Sequence, residues 1–311
     1  MDDSHHTNTD SHDVIVIGGA FAGIAAALQL ARARRRVLVV DDGNPRNRFA
    51  AAAHGFLGQD GRPPHEILAE ARAQLEHYPT VTFLRDRATH ATHATAHGDD
   101  SFDVELSSGA TAHARRLILA TGVVDELQDI PGLAERWGRT VLHCPYCHGY
   151  EVADGRLGVL TRGDASLHLA PMLLDWSSDV TLFTNGPFSA GNGERQTLEK
   201  RGVRVVTNAV TAVTEDANAP VIVEVRDADA IPLDALFAPS RTRVASPIAE
   251  RLGCELEEGP QSVTVRTDSF RETSVKGVYC AGDAARQWQN VSFAVADGVT
   301  AGVAAHRSLL G

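Results

Sequence analysis

The feature that most constrains the fold is a strand–turn–helix–strand pattern at residues 13–43, DVIVIGGAFAGIAAALQLARARRRVLVVDDG. Asp13 to Ile17 is mainly apolar and β-branched, residues 22–33 are rich in alanine and leucine, and Val37 to Val40 is again fully apolar. Short apolar strands on either side of a helix are typical of a parallel sheet buried on both faces. The pattern therefore predicts an α/β domain that begins with this unit.

The turn inside this unit carries glycines where a bound dinucleotide needs them. Gly18 and Gly19 follow the first strand, and Gly23 lies where the helix meets that strand. The dinucleotide fingerprint has a further glycine where this chain has Ala20, so the match lacks its middle glycine. Asp41 ends the second strand, where a carboxylate can bind ribose hydroxyls, while the helix N-terminus can bind phosphate. We interpret the turn as a dinucleotide site, with a nucleotide-free α/β turn as the alternative.

A second unit of the same design follows in the middle of the chain. RLGVLTRGDAS (156–166) predicts a strand and turn, LHLAPMLLDW (167–176) a helix that starts late or kinks at its proline, and DVTLFTNG (179–186) a strand. Two such units predict two α/β domains, with joints containing glycine and proline near 122–132 and 238–247. The other predicted elements are helices at 62–78 and 290–309 and short strands around 80–85, 101–106, 115–120, 262–266 and 277–281.

Composition excludes several classes of function. The net charge is −11 and the isoelectric point is near 5.7, so binding to nucleic acid or to an anionic membrane has no electrostatic support. No apolar stretch approaches the ~20 residues that span a bilayer. The first residues are polar and lack the apolar core of a secretory signal, so residues 1–12 are expected to form a loose tail and the protein to be cytoplasmic.

The segment HCPYCHGYE (143–151) holds the residues with the clearest chemistry. Cys144 and Cys147 are spaced to bind a metal or to open and close a disulfide, and His143 and His148 flank them. A structural zinc site needs a second pair of ligands, and the two remaining cysteines, Cys254 and Cys280, lie apart in apolar surroundings typical of buried thiols. The redox interpretation is therefore favoured, with either histidine able to stabilise a thiolate or move a proton. Three histidines in HATHATAHGDD (90–100) are interpreted as hairpin and loop.

The C-terminal region supplies a second cofactor signal. Gly282 and Asp283 directly follow a strand in GVYCAGDAARQWQNVSFAVADG, just before a helix that starts near Val291. Glycine permits close approach of a ligand, the aspartate can accept bonds from a polyol, and the helix N-terminus can face an electron-rich ring edge. Elements of this kind at both ends of the chain favour FAD over a lone nicotinamide. Together with Ala120-Thr121-Gly122 and the CxxC motif, they make residues 13–311 resemble the low-molecular-weight thioredoxin reductases.

This resemblance implies a fold of two Rossmann-like domains with three layers (ββα/α). An FAD domain, 13–122 and 243–311, would be interrupted by a smaller nicotinamide-type domain, 123–242, that carries the cysteines. It implies that Cys147 faces the flavin, that Cys144 exchanges with the substrate, and that the protein is a homodimer. It also implies cofactor-binding residues, namely Gly18, Gly19, Ala20, Gly23, Asp41, His54, Thr121, Gly122, Gly282, Asp283 and Val291. For His54 a hydrogen bond within its own loop is the alternative.

The sequence departs from the reductases in two ways that concern electron supply. The turn at 161–166, TRGDAS, keeps only its central glycine, and Asp164 would place negative charge beside a phosphate. The following strand ends LFTNGPF (182–188), without the arginines that bind the 2′-phosphate of NADPH in the reductases. A role for NADPH is therefore doubtful. His148 also stands where the reductases carry an aspartate.

The combination of CPYCHGYE with these departures makes the sequence similar to the dithiol oxidase branch. That branch contains the gliotoxin- and holomycin-type oxidases, which form disulfides. The leading hypothesis is an FAD-dependent enzyme that oxidises a small dithiol through Cys144 and Cys147, with oxygen as acceptor. The alternative is a disulfide reductase fed by NADPH or another donor, acting on a thioredoxin-like protein. A third possibility is a flavin-bound redox sensor without turnover.

Overall fold

The computed structural model describes residues 11–94, 101–162, 166–187 and 192–310. Within these ranges the chain forms two compact units. The first consists of residues up to Arg48, His65–Val124 and the residues from Thr242 onward, and the second consists of Phe49–Pro64 and Asp125–Arg241. Most of the predicted tail, part of the histidine-rich loop and residues 163–165 of the second turn lie outside the described ranges. The tail prediction is wrong for His12, which already pairs with Ala114 in the first strand.

The first unit is built on a seven-stranded sheet with the order β3-β2-β1-β6-β5-β4, and β19 pairs with β6. Its strands are β1 (His12–Ile17), β2 (Val37–Val40), β3 (Val81–Leu84), β4 (Ala88–His93), β5 (Phe102–Leu106), β6 (Thr111–Leu119) and β19 (Val278–Cys280). Strands β3, β2, β1, β6 and β19 are parallel, and β4 and β5 add antiparallel pairs at one edge. The sheet places the chain turn after β1 between the ends of β2 and β6, so residues from three strands meet at one edge.

Helices cover this sheet. They are α1 (Phe21–Arg32), α2 (Pro64–Glu76), α6 (Ile248–Arg251) and α7 (Val291–Ser308), and a small hairpin of β17 (Leu256–Glu258) and β18 (Val263–Val265) lies between the last two. Helices α1 and α7 pack closely because α7 presents glycine to α1. A Cβ added to Gly298 would overlap the carbonyl oxygen of Ala22, and one added to Gly302 would lie 2.6 Å from that of Ala26. Val14, Val16 and Leu30 are fully buried beneath this pair.

The second unit repeats the same plan at smaller scale. A five-stranded parallel sheet has the order β11-β10-β9-β15-β8, and a separate antiparallel sheet has the order β12-β13-β14. The strands are β8 (Val141–Leu142), β9 (Arg156–Leu160), β10 (Asp179–Phe183), β11 (Val203–Val206), β12 (Val210–Thr214), β13 (Val221–Val225), β14 (Ile231–Leu233) and β15 (Ala235–Phe237). The helices are α3 (Pro145–His148), α4 (Leu169–Leu173) and α5 (Asn192–Lys200). Two further strands, β7 (Val123–Glu126) and β16 (Arg241–Val244), pair with each other where the chain passes between units.

The predicted fold class, two Rossmann-like α/β units, is confirmed. The helix predicted at 167–176 is shorter, since α4 begins at Leu169 and holds Pro171 in its first turn, where a missing backbone donor costs nothing. One segment differs from the predicted division, because residues 49–64 group with the second unit. Phe49 packs on Gly138, and a bridge between Ala53 and Arg62 closes the segment into a loop. Among the described residues no helix is both long enough and apolar enough to cross a bilayer.

Candidate active site

A disulfide joins the two cysteines of the CxxC motif in the second unit. Cys144 and Cys147 are bonded, with their Cα atoms 5.3 Å apart. Cys144 caps the four-residue helix α3 in an extended conformation, and Pro145 starts the helix, where its fixed φ suits the first turn. The backbone N–H of Cys147 donates to the carbonyl oxygen of Cys144 at 3.2 Å, which closes the turn around the disulfide. Both cysteines are partly exposed, so an incoming thiol can reach the bond.

His148 follows the second cysteine and is half-buried at the end of α3. Burial lowers the pKa of its imidazole below the ordinary value, the carboxylate of Glu151 acts in the opposite direction, and His54 lowers the pKa again. The unperturbed pKa of histidine is about 6.5, so His148 is neutral at pH 7 and can accept a proton. His143, the other predicted acid/base candidate, lies beside Trp137 with the ring centres 6.0 Å apart. The lowered pKa and its position directly after Cys147 make His148 the candidate base next to the disulfide.

Aromatic side chains lie on and beside the segment that carries the disulfide. Tyr146, between the two cysteines, is 75% exposed and meets the ring of Trp176 edge-on at 5.7 Å. Tyr150 is 83% exposed at the other end of the motif. Gly149 allows Trp176 to approach, because a Cβ there would lie 3.0 Å from the indole ring. These exposed rings offer a flat apolar surface to a substrate at the sulfur atoms.

The glycine turn of the first unit forms a cradle that side chains would fill. Gly18 has φ +103°, and a Cβ there would overlap the carbonyl oxygen of Ala120. A Cβ at Gly23 would overlap the carbonyl oxygen of Gly18, and one at Gly19 would lie 2.8 Å from the Cβ of Asp41. Gly18 and Gly23 are therefore required by close backbone packing, and Gly19 by the close approach of the Asp41 side chain.

Helix α1 begins in this cradle. Ala20 is its N-cap residue, and among the described residues no side chain caps the helix and no acidic residue lies in its first turn. The backbone N–H of Gly19 donates to Oδ1 of Asp41 at 3.0 Å, which fixes the carboxylate at the end of β2. Backbone donors at the start of a helix and a held carboxylate match the pyrophosphate and ribose of a dinucleotide.

The C-terminal signal lies in the same unit as this cradle. Gly282 has φ +77° and lies against Ala22 of α1, where an added Cβ would be 2.9 Å from the Cβ of that alanine. Asp283 forms an ion pair with Arg46 at 3.1 Å. Helix α7 begins at Val291, and its N-cap Asn290 accepts a hydrogen bond from Ser292 N. Gly282 therefore packs directly on the first turn of α1, and Asp283 lies one residue away.

The remaining predicted cofactor residues divide between the units. Thr121 follows Ala120, the residue whose carbonyl abuts Gly18, and Gly122 has φ +66° and accepts a hydrogen bond from Ala245 N. His54 belongs to the second unit, where its Nε2 lies 3.3 Å from Glu151. The cofactor role of each of these residues stays a prediction.

The residues of the first unit fit FAD. The cradle excludes side chains, α1 offers backbone donors, and Asp41 and Asp283 supply acceptors for hydroxyl groups. The sequence did not point to Arg46, which donates to Asp283 and to Gln289. Arg46 and Asp283 are 237 residues apart, and the sequence around Arg46 carries no motif that could have indicated the pairing.

In the turn of the second unit, the described residues Arg162 and Ser166 have partners within that unit. The guanidinium of Arg162, the cation expected nearest a bound phosphate, donates to the carbonyl oxygen of Glu126. Ser166 is fully buried, and its hydroxyl accepts from the backbone N–H of Arg162 at 2.8 Å. Asp164 lies outside the described residues. In the described part of this turn, the cation and one backbone donor therefore already have partners within the second unit.

The other two cysteines are buried, as predicted. Cys254 and Cys280 are free thiols, 5% and 0% exposed. Burial raises the pKa of both thiols, which keeps them protonated and unreactive. Chemistry at sulfur is thereby confined to Cys144 and Cys147.

Comparison with known proteins agrees with these features. The family model for pyridine nucleotide-disulphide oxidoreductases matches residues 12–298. The chain belongs to the pyridine nucleotide-disulphide oxidoreductase family. Membership identifies it as an enzyme, implies FAD as its prosthetic group, and confirms the predicted resemblance to thioredoxin reductases.

Individual relatives cover nearly the whole chain. Thioredoxin reductase tcpT of Claviceps purpurea is 35% identical over 306 residues, which are 96% of this chain and 94% of that protein. The crystal structure of an oxidoreductase from Agrobacterium tumefaciens is 46% identical, covers 96% of this chain and 99% of its own, and has a TM-score of 0.91. The crystal structure of HlmI is 37% identical with a TM-score of 0.88, and covers 96% of this chain and 93% of its own.

Proposed function

We propose that this oxidoreductase is a dithiol oxidase that converts a small dithiol into a disulfide and uses oxygen as electron acceptor. The observation that carries the proposal is the partly exposed Cys144–Cys147 disulfide followed by a half-buried histidine, His148, whose pKa is lowered. An oxidase must take protons from the thiols that it oxidises, and a neutral imidazole beside the disulfide suits that task.

The cysteine pair and His148 can carry out the exchange with balanced electrons and protons. His148 accepts the proton of one substrate thiol, and the resulting thiolate attacks Cys144 Sγ and displaces Cys147 as a thiolate. The second substrate thiol gives its proton to solvent and attacks the substrate sulfur of this mixed disulfide, which releases the substrate disulfide and the thiolate of Cys144. The substrate has then lost two electrons and two protons, and the enzyme disulfide has gained the two electrons.

FAD, when bound at Gly18, Gly19, Gly23, Asp41 and Asp283, supplies the two-electron chemistry between the reduced cysteines and oxygen, which becomes hydrogen peroxide. The protein must hold Cys147 as a thiolate and keep Cys144 accessible to substrate. Cys144 is the N-cap residue of α3 and its neighbour Tyr146 is exposed, which supports Cys144 as the cysteine that meets the substrate.

The second turn supports oxygen over NADPH as the partner of the flavin. The guanidinium of Arg162 donates to Glu126, the hydroxyl of Ser166 accepts from Arg162 N, and the strand that follows is succeeded by Thr184-Asn185-Gly186 without a cation. A reductase that accepts electrons from NADPH and reduces a thioredoxin-like protein is the second candidate, because tcpT bears the name of a thioredoxin reductase. A homodimer is expected for either function.

Anaerobic mixing of the purified yellow protein tests the proposal. One sample receives NADPH, another receives a small dithiol such as dithiothreitol, and the visible absorbance of the flavin is followed. We expect bleaching by the dithiol and none by NADPH on the same timescale. Admission of air should restore the colour and yield one peroxide for each dithiol oxidised. Rapid bleaching by NADPH would overturn the oxidase proposal and favour the reductase.

A further inference from the structure

A loop that is remote in sequence brings a second histidine to the active-site helix. His54 lies at the base of the loop formed by residues 49–64, which is closed by backbone hydrogen bonds from Ala53 N to Arg62 O at 2.8 Å and from Gly61 N to Ala53 O at 2.9 Å. The side chain of His54 is 21% exposed. The loop therefore holds this imidazole in a defined position within the second unit.

His54 lies between two carboxylates. Its Nε2 atom is 3.3 Å from Oε1 of Glu151, and its Nδ1 atom is 3.6 Å from Oδ1 of Asp60. Asp60 is itself fixed, because it accepts a hydrogen bond from Gly55 N at 2.7 Å. Asp60 is 70% exposed, so solvent screens its charge, whereas Glu151 is 40% exposed. Glu151 is therefore the carboxylate that links His54 to the active site.

Glu151 also acts on His148, three residues before it. The charged groups that influence His148 are Glu151, on the turn that follows α3, and His54, on the loop. Their effects are opposite in sign, since the carboxylate favours the imidazolium and a cationic His54 disfavours it. His54 and His148 thus compete for one carboxylate.

We propose that His54 is a positioning residue: by engaging Glu151 it draws the charge of that carboxylate away from His148, which stays neutral and able to accept a proton from the substrate. This inference deepens the proposed function and rests on it. It assigns His54 a role at the disulfide in place of the cofactor contact that the resemblance implied.

The proposal predicts shifts of opposite sign in two variants. In His54→Gln, Glu151 no longer interacts with a histidine at position 54 and its charge acts fully on His148. The pKa of His148 therefore rises, and the imidazole is protonated at higher pH. Glu151→Gln removes the attraction that favours the imidazolium, so the pKa of His148 falls. We expect each shift to be roughly half a pH unit or more, as for partly buried charges within a few ångströms of a titrating group.

The test measures the titration of His148 directly and then its effect on rate. The ring resonances of His148 are titrated by NMR in the oxidised holoprotein labelled at histidine, and are assigned from their absence in His148→Gln. In parallel, the acid limb of the pH profile for dithiol oxidation is recorded. Both readouts should move up in His54→Gln and down in Glu151→Gln.

Matched controls carry the same chemical changes elsewhere. His113→Gln removes a histidine that lies 2.9 Å from Asp103 in the first unit, and Glu199→Gln removes a carboxylate 2.9 Å from Arg195. Neither should move the His148 titration or the acid limb.

A merely structural His54 would reduce the rate equally at every pH and leave the midpoint unchanged, which would overturn the inference. A downward shift in His54→Gln would do the same. The NMR titration needs neither turnover nor oxygen. Failure of the oxidase proposal, seen as reduction of the flavin by NADPH, is therefore distinguishable from failure of this inference.

Discussion

The two turns that follow β1 and β9 occupy equivalent positions in their sheets but differ in the residues that form them. In each unit a parallel strand leads through a turn into a helix, and the next strand in sequence lies beside the first. The first turn is built from Gly18, Gly19 and Gly23, and helix α1 has 12 residues. The second turn begins with Thr161 and Arg162, and helix α4 has 5 residues.

The two turns differ in the hydrogen-bond partners of their backbone donors and charged side chains. Around the first turn, the described residues leave the N-terminus of α1 without a side-chain cap, and Asp41 is held by Gly19. Around the second turn, Ser166 accepts from Arg162 N, and the guanidinium of Arg162 is bound to Glu126. The parallel α/β frame is thus present in both units although the described partners at their turns differ, because the frame depends on buried strands rather than on a ligand.

The largest expected effect is on FAD affinity and comes from placing a side chain in the first turn. In Gly23→Ala the new Cβ would overlap the carbonyl oxygen of Gly18, so the turn must shift. We expect FAD affinity to fall roughly a hundredfold or more, which corresponds to about 2.7 kcal/mol of binding free energy. Flavin retained after gel filtration and a titration of the apoprotein with FAD measure the effect.

Gly193→Ala in the second unit is the matched control for this substitution. A Cβ there meets no atom within 4 Å, and the residue lies in helix α5 at a negative φ. Alanine is the better helix former, so the variant should keep its flavin and be as stable as the parent or slightly more so. Equal flavin loss in both variants would show that the cradle at Gly18 and Gly23 does not bind the cofactor.

A smaller effect on FAD affinity should distinguish Asp41 from Asn185, the residues that follow the second strand of each unit. Asp41 follows β2 and is held by the first turn, whereas Asn185 follows β10 and accepts a hydrogen bond from Val210 N at 2.8 Å. Asp41→Asn should weaken FAD binding about tenfold, because a carboxylate is the stronger acceptor for hydroxyl groups.

Asn185→Gly is the reciprocal variant. Asn185 has φ +50°, which glycine tolerates, so the substitution removes the side-chain acceptor without adding backbone strain. We expect a loss of about 1–2 kcal/mol in the free energy of unfolding and an unchanged affinity for FAD. Urea denaturation and flavin titration of both variants form the comparison. A loss of flavin affinity in Asn185→Gly that matches the loss in Asp41→Asn would refute the division of roles.

Local patterns in the sequence were sufficient to predict the frame. Apolar β-branched runs predicted β1 and β2, and glycine spacing predicted the first turn, whereas the cofactor role of Gly282-Asp283 stays a prediction. Helix α5 was missed because its sequence, NGERQTLEK, has a single large apolar residue, Leu198. The antiparallel sheet of β12, β13 and β14 was also missed, since its pairing joins segments whose order in the sheet no local motif encodes.

The contacts of the site that were not predicted are those between distant segments. His54 lies 3.3 Å from Glu151 because the loop at 49–64 belongs to the second unit, although its place in the sequence predicted that it belongs to the first. The Arg46–Asp283 ion pair likewise joins opposite ends of the chain. Side-chain type and spacing indicate chemistry within a turn, whereas partners across the fold are determined by tertiary packing.

The smallest expected effect is a pH dependence of stability that arises in the second unit. The first turn uses backbone donors and carboxylates, whereas the second unit contains a half-buried histidine beside its disulfide. Burial lowers the pKa of His148 in the folded protein, and in the unfolded chain the pKa is near 6.5. Between these two values the unfolded state binds more protons, so stability rises with pH in that window and is constant above it.

One proton limits the slope of this dependence to about 1.4 kcal/mol per pH unit, and the contribution of His148 should be smaller than that. The measurement is the free energy of unfolding from urea titrations between pH 5 and 7.5, for the parent and for His148→Gln. Because the other histidines titrate in both proteins, only the difference between the two curves reports on His148. We expect His148→Gln to lose less stability than the parent as the pH falls below 6.5. Parallel curves would mean that burial does not lower the pKa of His148 in the folded protein.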